Sequence, residues 1–483
     1  MTSFLIALGI LISGYFVYGV IAEKVFGADS TRKTPAYTHA DGVDFVPMAT
    51  WRVFLIQFLN IAGLGPIFGA IMGIMFGPAA FLWIVLGTIF AGAVHDYIAA
   101  MMSIRQGGIS LPESVGAQLG NKTKQIMRGF SLLLLVLVAA VFVVTPAELI
   151  AKMTPDALNK MFWIAVIFVY YILATLLPVD KVIGKFYPIF GFSLLFMALG
   201  ILVVLIIGDA EIPDGMREGL FNRRVDGDTA PIFPMMFVSI ACGAISGFHA
   251  TQSPMMARCL KNEKLARPVF YGAMVAEGIV ALIWAAAAIA FTGGYGELSE
   301  YLGANGGAGA LVHDISFKWL GTVGGILALL GVIVAPITSG DTALRSARLI
   351  AADFLKIDQK NLGKRILTAL PLFAICFLIM LIDFNILWRY FAWCNQTLAV
   401  FTLWAATVYL ATEHKFYYIT LLPAIFMTMV CVTYILYAPE GFGLKLDISL
   451  PIAIVVSAFF TYLFAMKARK IKKEVRPQQF QDL

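Results

Sequence analysis

The chain has 483 residues, 60% of them hydrophobic and 13% charged, with a mean hydropathy of +0.86. Soluble domains carry about 25% charged residues, so this composition excludes an ordinary soluble enzyme or binding module and points to a polytopic membrane protein. The net charge of +6 lies in short loops and in a tail from Lys467 to Arg476, which is what membrane orientation requires and no mark of a nucleic-acid partner.

A spanning helix needs about 20 apolar residues. On that rule about thirteen begin, near residues 3, 51, 79, 127, 161, 185, 233, 268, 317, 366, 388, 417 and 449. The run from Met1 lacks a basic leading region and reads as a first spanning helix rather than a cleaved signal. The second segment contains NIAGLGPIFGA (Asn60 to Ala70) and the seventh contains ACGAISGFHATQSP (Ala241 to Pro254). Both are loaded with Gly, Pro and small polar residues. Unwound backbone in lipid leaves N–H and C=O groups unpaired at several kcal/mol each, so it persists only against a cavity or against protein. Paired broken helices, one in each half of a chain, point to the substrate site of a secondary transporter.

Basic residues cluster after the first segment (Lys24, Arg32, Lys33), the third (Arg105, Lys122, Lys124, Arg128) and the fifth (Lys181, Lys185). They cluster again after the seventh (Arg258, Lys261, Lys264, Arg267), the ninth (Lys356, Lys360, Lys364, Arg365) and the last. Alternate loops are therefore cytosolic, with the N-terminus outside and the C-terminus inside. The two breaks then enter from opposite faces. Residues 51–208 and 233–411 are read as five-helix inverted repeats joined by an extracytoplasmic loop at 209–232. A first helix with its cytosolic loop (1–50), two trailing helices (412–467) and a basic cytosolic tail (468–483) are peripheral.

Within this frame the residues that can carry chemistry are few. Gly63, Gly65 and Pro66 free amides and carbonyls at the first break, where a half-helix N-terminus attracts an anionic group and bare carbonyls hold a cation; a plain kink with close GxxxG-like packing is the alternative. The second break offers Ser246, Gly247, His249 and Gln252; an imidazole there can bond a carboxylate and titrate near neutral pH, or can be a satisfied structural donor. Asp96, beside His95 in the third segment, and Glu277 in the eighth can each bind and release a proton or act as structural partners. In the ninth segment Thr338, Ser339 and Asp341 gather oxygens suited to Na⁺, although Asp341 can instead pair with Arg345 one turn away. Asn395 and Gln396 in the eleventh can hydrogen-bond substrate or a neighbouring helix. The five cysteines (Cys242, Cys259, Cys376, Cys394, Cys431) form no metal or disulfide pattern and read as packing residues. No GxxxxGK[ST], HExxH or GxSxG is present, which argues against ATP-driven pumping and against an enzyme. The glycine-rich stretch from Gly303 to Ala310 reads as a flexible external connector.

DGVDFVPMATWRVF leading into NIAGLGPIFGA, with AGAVHDY, ACGAISGFHA, DTALRSAR and CNQTLAVFTL, resembles the carbon starvation protein A family of bacterial inner-membrane transporters, in order from Asp41 to Leu410. The chain looks shorter than that family's longer members towards the C-terminus and has ATQSP directly after ISGFH. The resemblance implies a LeuT-like, amino acid–polyamine–organocation-type fold whose core is a five-plus-five inverted repeat, with the broken segments as its first and sixth helices. It implies uptake of pyruvate or short peptides on a cation gradient, with substrate bound at Gly63–Pro66 and Ser246–Gln252. Thr338 and Ser339 would fall where sodium-coupled relatives place a hydroxyl pair. The expectation is a multi-pass plasma-membrane symporter, driven by H⁺ or Na⁺ with no other cofactor, importing a small carboxylate-bearing nutrient during carbon starvation, pyruvate favoured. A peptide or amino-acid symporter on the same fold is the alternative, and a passive channel or a membrane solute sensor the alternatives of another class.

Overall fold

The computed structural model describes residues 1–42, 44–176, 179–208, 211–213, 219–359, 361–382 and 384–475. Parts of the 209–232 loop and of the tail, and the side chains of Lys181 and Lys185, lie outside the described residues. Every regular element among them is helical, as hydrocarbon demands of a backbone that must pair within itself.

Each expected start falls in, or within a residue of, an apolar helical segment. In chain order these are α1 (Thr2–Phe26), α2a (Thr50–Ile61), α2b (Gly65–Ile74), α3 (Ala79–Arg105), α4 (Asn121–Ala151), α5 (Lys160–Leu176) and α6 (Val179–Ile207). They continue as α7a (232–244), α7b (Gly247–Ala257), α8 (Glu263–Thr292), α9 (Gly307–Leu355) and α10 (Leu362–Ile379), then α11 (Phe384–Thr412), α12 (Tyr418–Tyr437) and α13 (Leu446–Val475). Among the described residues nine helices are long and apolar enough to cross a membrane, or ten with α2a and α2b taken together. The segments α5, α7 and α11 fall short of that measure of length and hydropathy. The most apolar stretches of α3, α4, α8 and α9 are 78, 83, 78 and 83% buried, whereas those of α1 and α13 are 28 and 22% buried. The former make the core and the latter face outward.

Loop contacts test the alternation of faces. Glu263, after α7, receives the Asp29 amide at 2.9 Å and the Arg105 guanidinium at 3.0 Å, joining the loops that follow α1, α3 and α7. On the opposite face the Arg223 amide reaches the Phe76 carbonyl at 3.3 Å, and the amino group of Met1 reaches the Ile212 carbonyl at 3.0 Å. The basic loops after α1, α3 and α7 thus share one face; naming that face cytosolic rests on its charge.

Both breaks are present. Helices α2a and α2b meet at 55° around Ala62 (φ −79°, ψ 52°), whose carbonyl-side turn brings the Gly63 amide back to the Ile61 carbonyl at 2.9 Å. Between α7a and α7b, Ile245 and Ser246 are fully extended (φ −159° and −144°). Helix α9 has its own interruption at Gly321, where φ is +67°, a conformation that glycine adopts without the Cβ penalty.

Candidate functional site

The two breaks lie against each other, and small residues make the approach possible. A Cβ added at Gly65 would stand 2.1 Å from the Cβ of Cys242, and one at Gly63 would stand 2.7 Å from the Phe142 ring. A Cβ at Gly92 on α3 would meet the Ala244 carbonyl oxygen at 2.2 Å, and one at Gly278 on α8 would meet the Thr88 hydroxyl at 2.6 Å. The glycines therefore serve close packing of α2, α3, α7 and α8 in addition to freeing backbone.

The freed backbone of the second break is met by side chains. Thr88 donates to the Gly243 carbonyl at 3.1 Å and Gln396 Nε2 to the Ile245 carbonyl at 3.0 Å. Asn395 Oδ1 accepts from the Phe248 amide at 2.7 Å and from the Ser246 hydroxyl at 2.9 Å, while its Nδ2 contacts Cys242 Sγ at 3.2 Å. Asn395 and Gln396 thus hold the break open, each leaving little capacity for a ligand except Gln396 Oε1, which has no hydrogen-bond partner. Of the leading amides of α7b, that of His249 turns back to the Ser246 carbonyl at 3.2 Å. Gln252 is engaged with Thr251 at 2.9 Å.

At the first break the Ser339 hydroxyl contacts the Leu59 and Ala335 carbonyls, each at 2.9 Å, and Thr338 contacts Val334 and Ala335 at 3.0 and 2.8 Å. Five oxygens of two helices therefore gather here, the Ser339 hydroxyl lying 3.4 Å from where a Gly63 Cβ would be. Asp341 accepts from Tyr170 at 3.3 Å, while Arg345 reaches the Ala174 carbonyl at 2.5 Å and stands 4.0 Å from Asp44. Asn60, wholly buried one residue before the α2a terminus, has no hydrogen-bond partner at either amide atom. Sequence reading passed over it, although an Asn in an apolar run beside a break was signal enough.

The three ionisable residues singled out separately in the sequence meet. Asp96 of α3 lies 2.9 Å, through Oδ2, from Nδ1 of His249 on α7b, and 2.8 Å, through Oδ1, from Nδ1 of His95. The other nitrogen of His249 comes within 3.3 Å of Glu277 Oε2 on α8, short of hydrogen-bond alignment. All four side chains are fully buried. An Asp96 carboxylate that accepts both Nδ1–H groups fixes the tautomer of each histidine. It leaves the Nε2 lone pair of His249 facing a carboxyl, a contact that is favourable only with a proton between them. His95 enters the network unforeseen; its position next to Asp96 was the available clue.

An aromatic column runs outward from this centre. Phe248 faces Phe142 (centroids 6.4 Å apart), Phe142 faces Phe391 (6.1 Å), Phe391 faces Trp388 (5.5 Å) and Trp388 faces Phe68 (6.4 Å). Phe68 and Trp388 then line a cavity of about 600 Å³ that opens on the face of the 293–307 loop. The Gly303 to Ala310 stretch is built differently from the connector expected. Helix Tyr295–Ala304 runs into it, α9 starts at Gly307, and only Asn305 and Gly306 lie between the two helices, with positive φ at Gly306 and Gly307 (+85° and +81°). Two positive-φ glycines suffice to reverse the chain between packed helices. All five cysteines are unpaired and buried.

The profile of the family described as carbon starvation protein CstA matches residues 1–158 and 148–319. An uncharacterized membrane protein of Haemophilus influenzae is 45% identical over 339 residues, covering 60% of this chain and 91% of that one. The peptide transporter CstA of Campylobacter jejuni is 31% identical, and the pyruvate/proton symporter BtsT of Escherichia coli 26% identical. Each of those two matches covers 57% of this chain and 48% of the relative, so the chain spans about half the length of these named relatives. Among solved structures, the Eremococcus coleocola manganese transporter superposes with a TM-score of 0.53 at 14% identity, covering 89% of this chain and 99% of that one. MhsT in complex with L-phenylalanine superposes at 0.56 and 16%, covering 86 and 99%. The architecture is therefore that of the LeuT-type transporters, all-helical and polytopic, as expected. By sequence, the chain belongs to the carbon starvation protein CstA family.

Proposed function

We propose that this chain is a proton-coupled importer of a small carboxylate-bearing nutrient, working by alternating access in the bacterial plasma membrane with its N-terminus outside. The observation that carries the reading is the buried His95–Asp96–His249–Glu277 network, which joins α3, α7b and α8 at the second break. A proton shared between His249 Nε2 and Glu277 binds two separately moving elements, and its loss sets a buried lone pair against a buried carboxylate. Loading and unloading that proton biases which of two packings the helices adopt, which is what coupling requires. Substrate is placed beside the breaks, with Gly63 to Pro66 and the Asn60 amide on one side and Ser246 to Gln252 on the other. Residues 51–208 and 233–411 are the inverted repeats that rock against each other. The aromatic column from Phe248 to Phe68 is the outer barrier.

Pyruvate and short peptides both fit this reading, and the printed names of the relatives support each. Entry of an anion into a negative interior is unfavourable by about 2.3 kcal/mol per charge per 100 mV, and a co-transported proton offsets it. A second reading, sodium coupling, is favoured by one observation: Thr338, Ser339 and the Leu59 and Ala335 carbonyls form an oxygen cluster where α9 meets the first break. Uptake of labelled pyruvate and dialanine into proteoliposomes, under H⁺ and Na⁺ gradients imposed separately, decides among these readings. Accumulation on the pH gradient alone supports the proposal, and accumulation on the Na⁺ gradient alone overturns its choice of ion.

A further inference from the structure

The cavity outside the aromatic column is more than an opening. Thr145, Glu148 and Leu149 on α4 and Lys152 at its C-cap recur at i, i+3, i+4 and i+7, so one helix face lines the cavity from floor to rim. Lys160 takes Glu148 Oε2 at 3.1 Å, whereas Lys152 stands 4.0 Å from Glu148, at the limit of an ion pair. The three charges sum to +1, and the ammonium of Lys152 lies at the rim, 3.7 Å from where a Gly306 Cβ would be. Deeper in, Thr145 is only 7% exposed, and its hydroxyl has no hydrogen-bond partner, not even the carbonyl one turn back that helical threonines usually use. An unsatisfied buried hydroxyl costs about 1–3 kcal/mol. Phe68, Met72 and Trp388 complete an apolar floor, and Phe68 sits on α2b, immediately beyond the first break.

We propose that this vestibule is an outer capture site for a carboxylate-bearing substrate, with Lys152 at the rim as counter-charge to the carboxylate, the Thr145 hydroxyl deeper in as a directional donor to the substrate's keto or amide oxygen, and the aromatic floor under its apolar part. The site rests on the reading of the chain as an importer of carboxylate-bearing solutes. It is distinct from the central network, which the aromatic column separates from it. It raises the local concentration of substrate at the barrier and orients its charged end outward, before the column opens. At about 600 Å³ the cavity is within the usual range of small-molecule sites, roughly 300–1,000 Å³.

The test uses the full chain in proteoliposomes and two probes, labelled pyruvate and labelled dialanine. Lys152→Gln and Thr145→Val should each raise KM for entry from the vestibule face about tenfold, leave kcat within about twofold, and leave binding from the opposite face unchanged. Lys152→Arg should restore the KM. Whichever probe shows the shift identifies the source of the carboxylate. Equilibrium binding of both probes to the same detergent-purified variants supplies a readout that does not need transport. Uptake with an unshifted KM for both probes overturns the capture site and leaves the importer reading standing. Lys152-dependent binding without gradient-driven uptake retains the capture site and overturns the importer reading. Neither uptake nor Lys152-dependent binding overturns both. Circular dichroism and a monodisperse elution profile confirm that each variant is folded.

Discussion

Replacing Gly65 with alanine sets two effects against each other, and the structure says which wins. Gly65 has no positive φ and begins α2b, so helix propensity alone predicts stabilisation by up to about 1 kcal/mol. The new Cβ, however, would stand 2.1 Å from Cys242 Cβ and 2.5 Å from its Sγ, with the Cys242 Cα at 3.5 Å. Carbon atoms settle about 3.5–4.0 Å apart, so the two breaks must part by about 1.5 Å. No rotamer change relieves the contact, because both Cβ positions are fixed by backbone. Overpacking of this kind costs about 1–3 kcal/mol, and the backbone-bound geometry favours the upper end, for a net destabilisation of about 2 kcal/mol. Cys242→Gly alone is also destabilising, by a lost buried side chain and a freer backbone. The double variant Gly65→Ala/Cys242→Gly moves the Cβ across the interface, though it also removes the Cys242 sulfur, and should be more stable than the sum of the singles by about 2 kcal/mol. Denaturation of purified protein in mixed SDS micelles measures the cycle, and uptake follows it. A Gly65→Ala variant as stable and active as the parent, or single effects that add within about 0.5 kcal/mol, would refute the apposition of the two breaks.

Other expectations can be checked with the same preparation. His249→Ala should abolish concentrative uptake while the protein still folds, since it removes the bridge between Asp96 and Glu277; normal uptake would take His249 out of the mechanism. Asn395→Leu strands the Phe248 amide, for a loss of about 1–3 kcal/mol in the SDS titration; an unchanged midpoint would mean that another acceptor reaches that N–H. In the loop after α6, bidentate bonds from Arg224, both at 2.7 Å, hold the Asp226 carboxyl below its ordinary range. A depressed folded pKa contributes stability above the unfolded value of about 3.9, and that contribution is lost as pH falls through the folded one. Asp226→Asn should therefore flatten the acid limb slightly and leave stability at pH 7 lower by less than about 1 kcal/mol; an acid limb identical to the parent's would contradict the pairing.

The breaks were legible because Gly63, Gly65 and Pro66, and later Gly243, Ser246 and Gly247, interrupt apolar runs that lipid would otherwise keep helical. Asp96, His249 and Glu277 were legible one at a time, because ionisable groups are costly in hydrocarbon and rarely idle. Their meeting was not. Asp96 and His249 are 153 positions apart, and no periodicity within α3 or α7b encodes which faces oppose across two helices. Asn395 and Gln396 show the complementary difficulty: a buried amide has the same sequence signature whether it binds solute or a freed backbone, and here both side chains bond the second break. The fate of the Gly303 to Ala310 run escaped composition altogether, because glycine-rich sequence reads as flexible while packing against α4 and α2b makes most of it helical. Its rim of the vestibule, with Thr145 and Lys152 opposite, became visible only in three dimensions.

The most direct measurement is pyruvate or dialanine accumulation by Glu277→Gln proteoliposomes, in parallel with substrate counterflow at equal pH on both sides. If the His249–Glu277 contact carries the coupling proton, counterflow persists, because exchange needs no net proton movement, while accumulation on a pH gradient disappears. A Glu277→Gln variant that concentrates substrate on a pH gradient as the parent does would contradict the account.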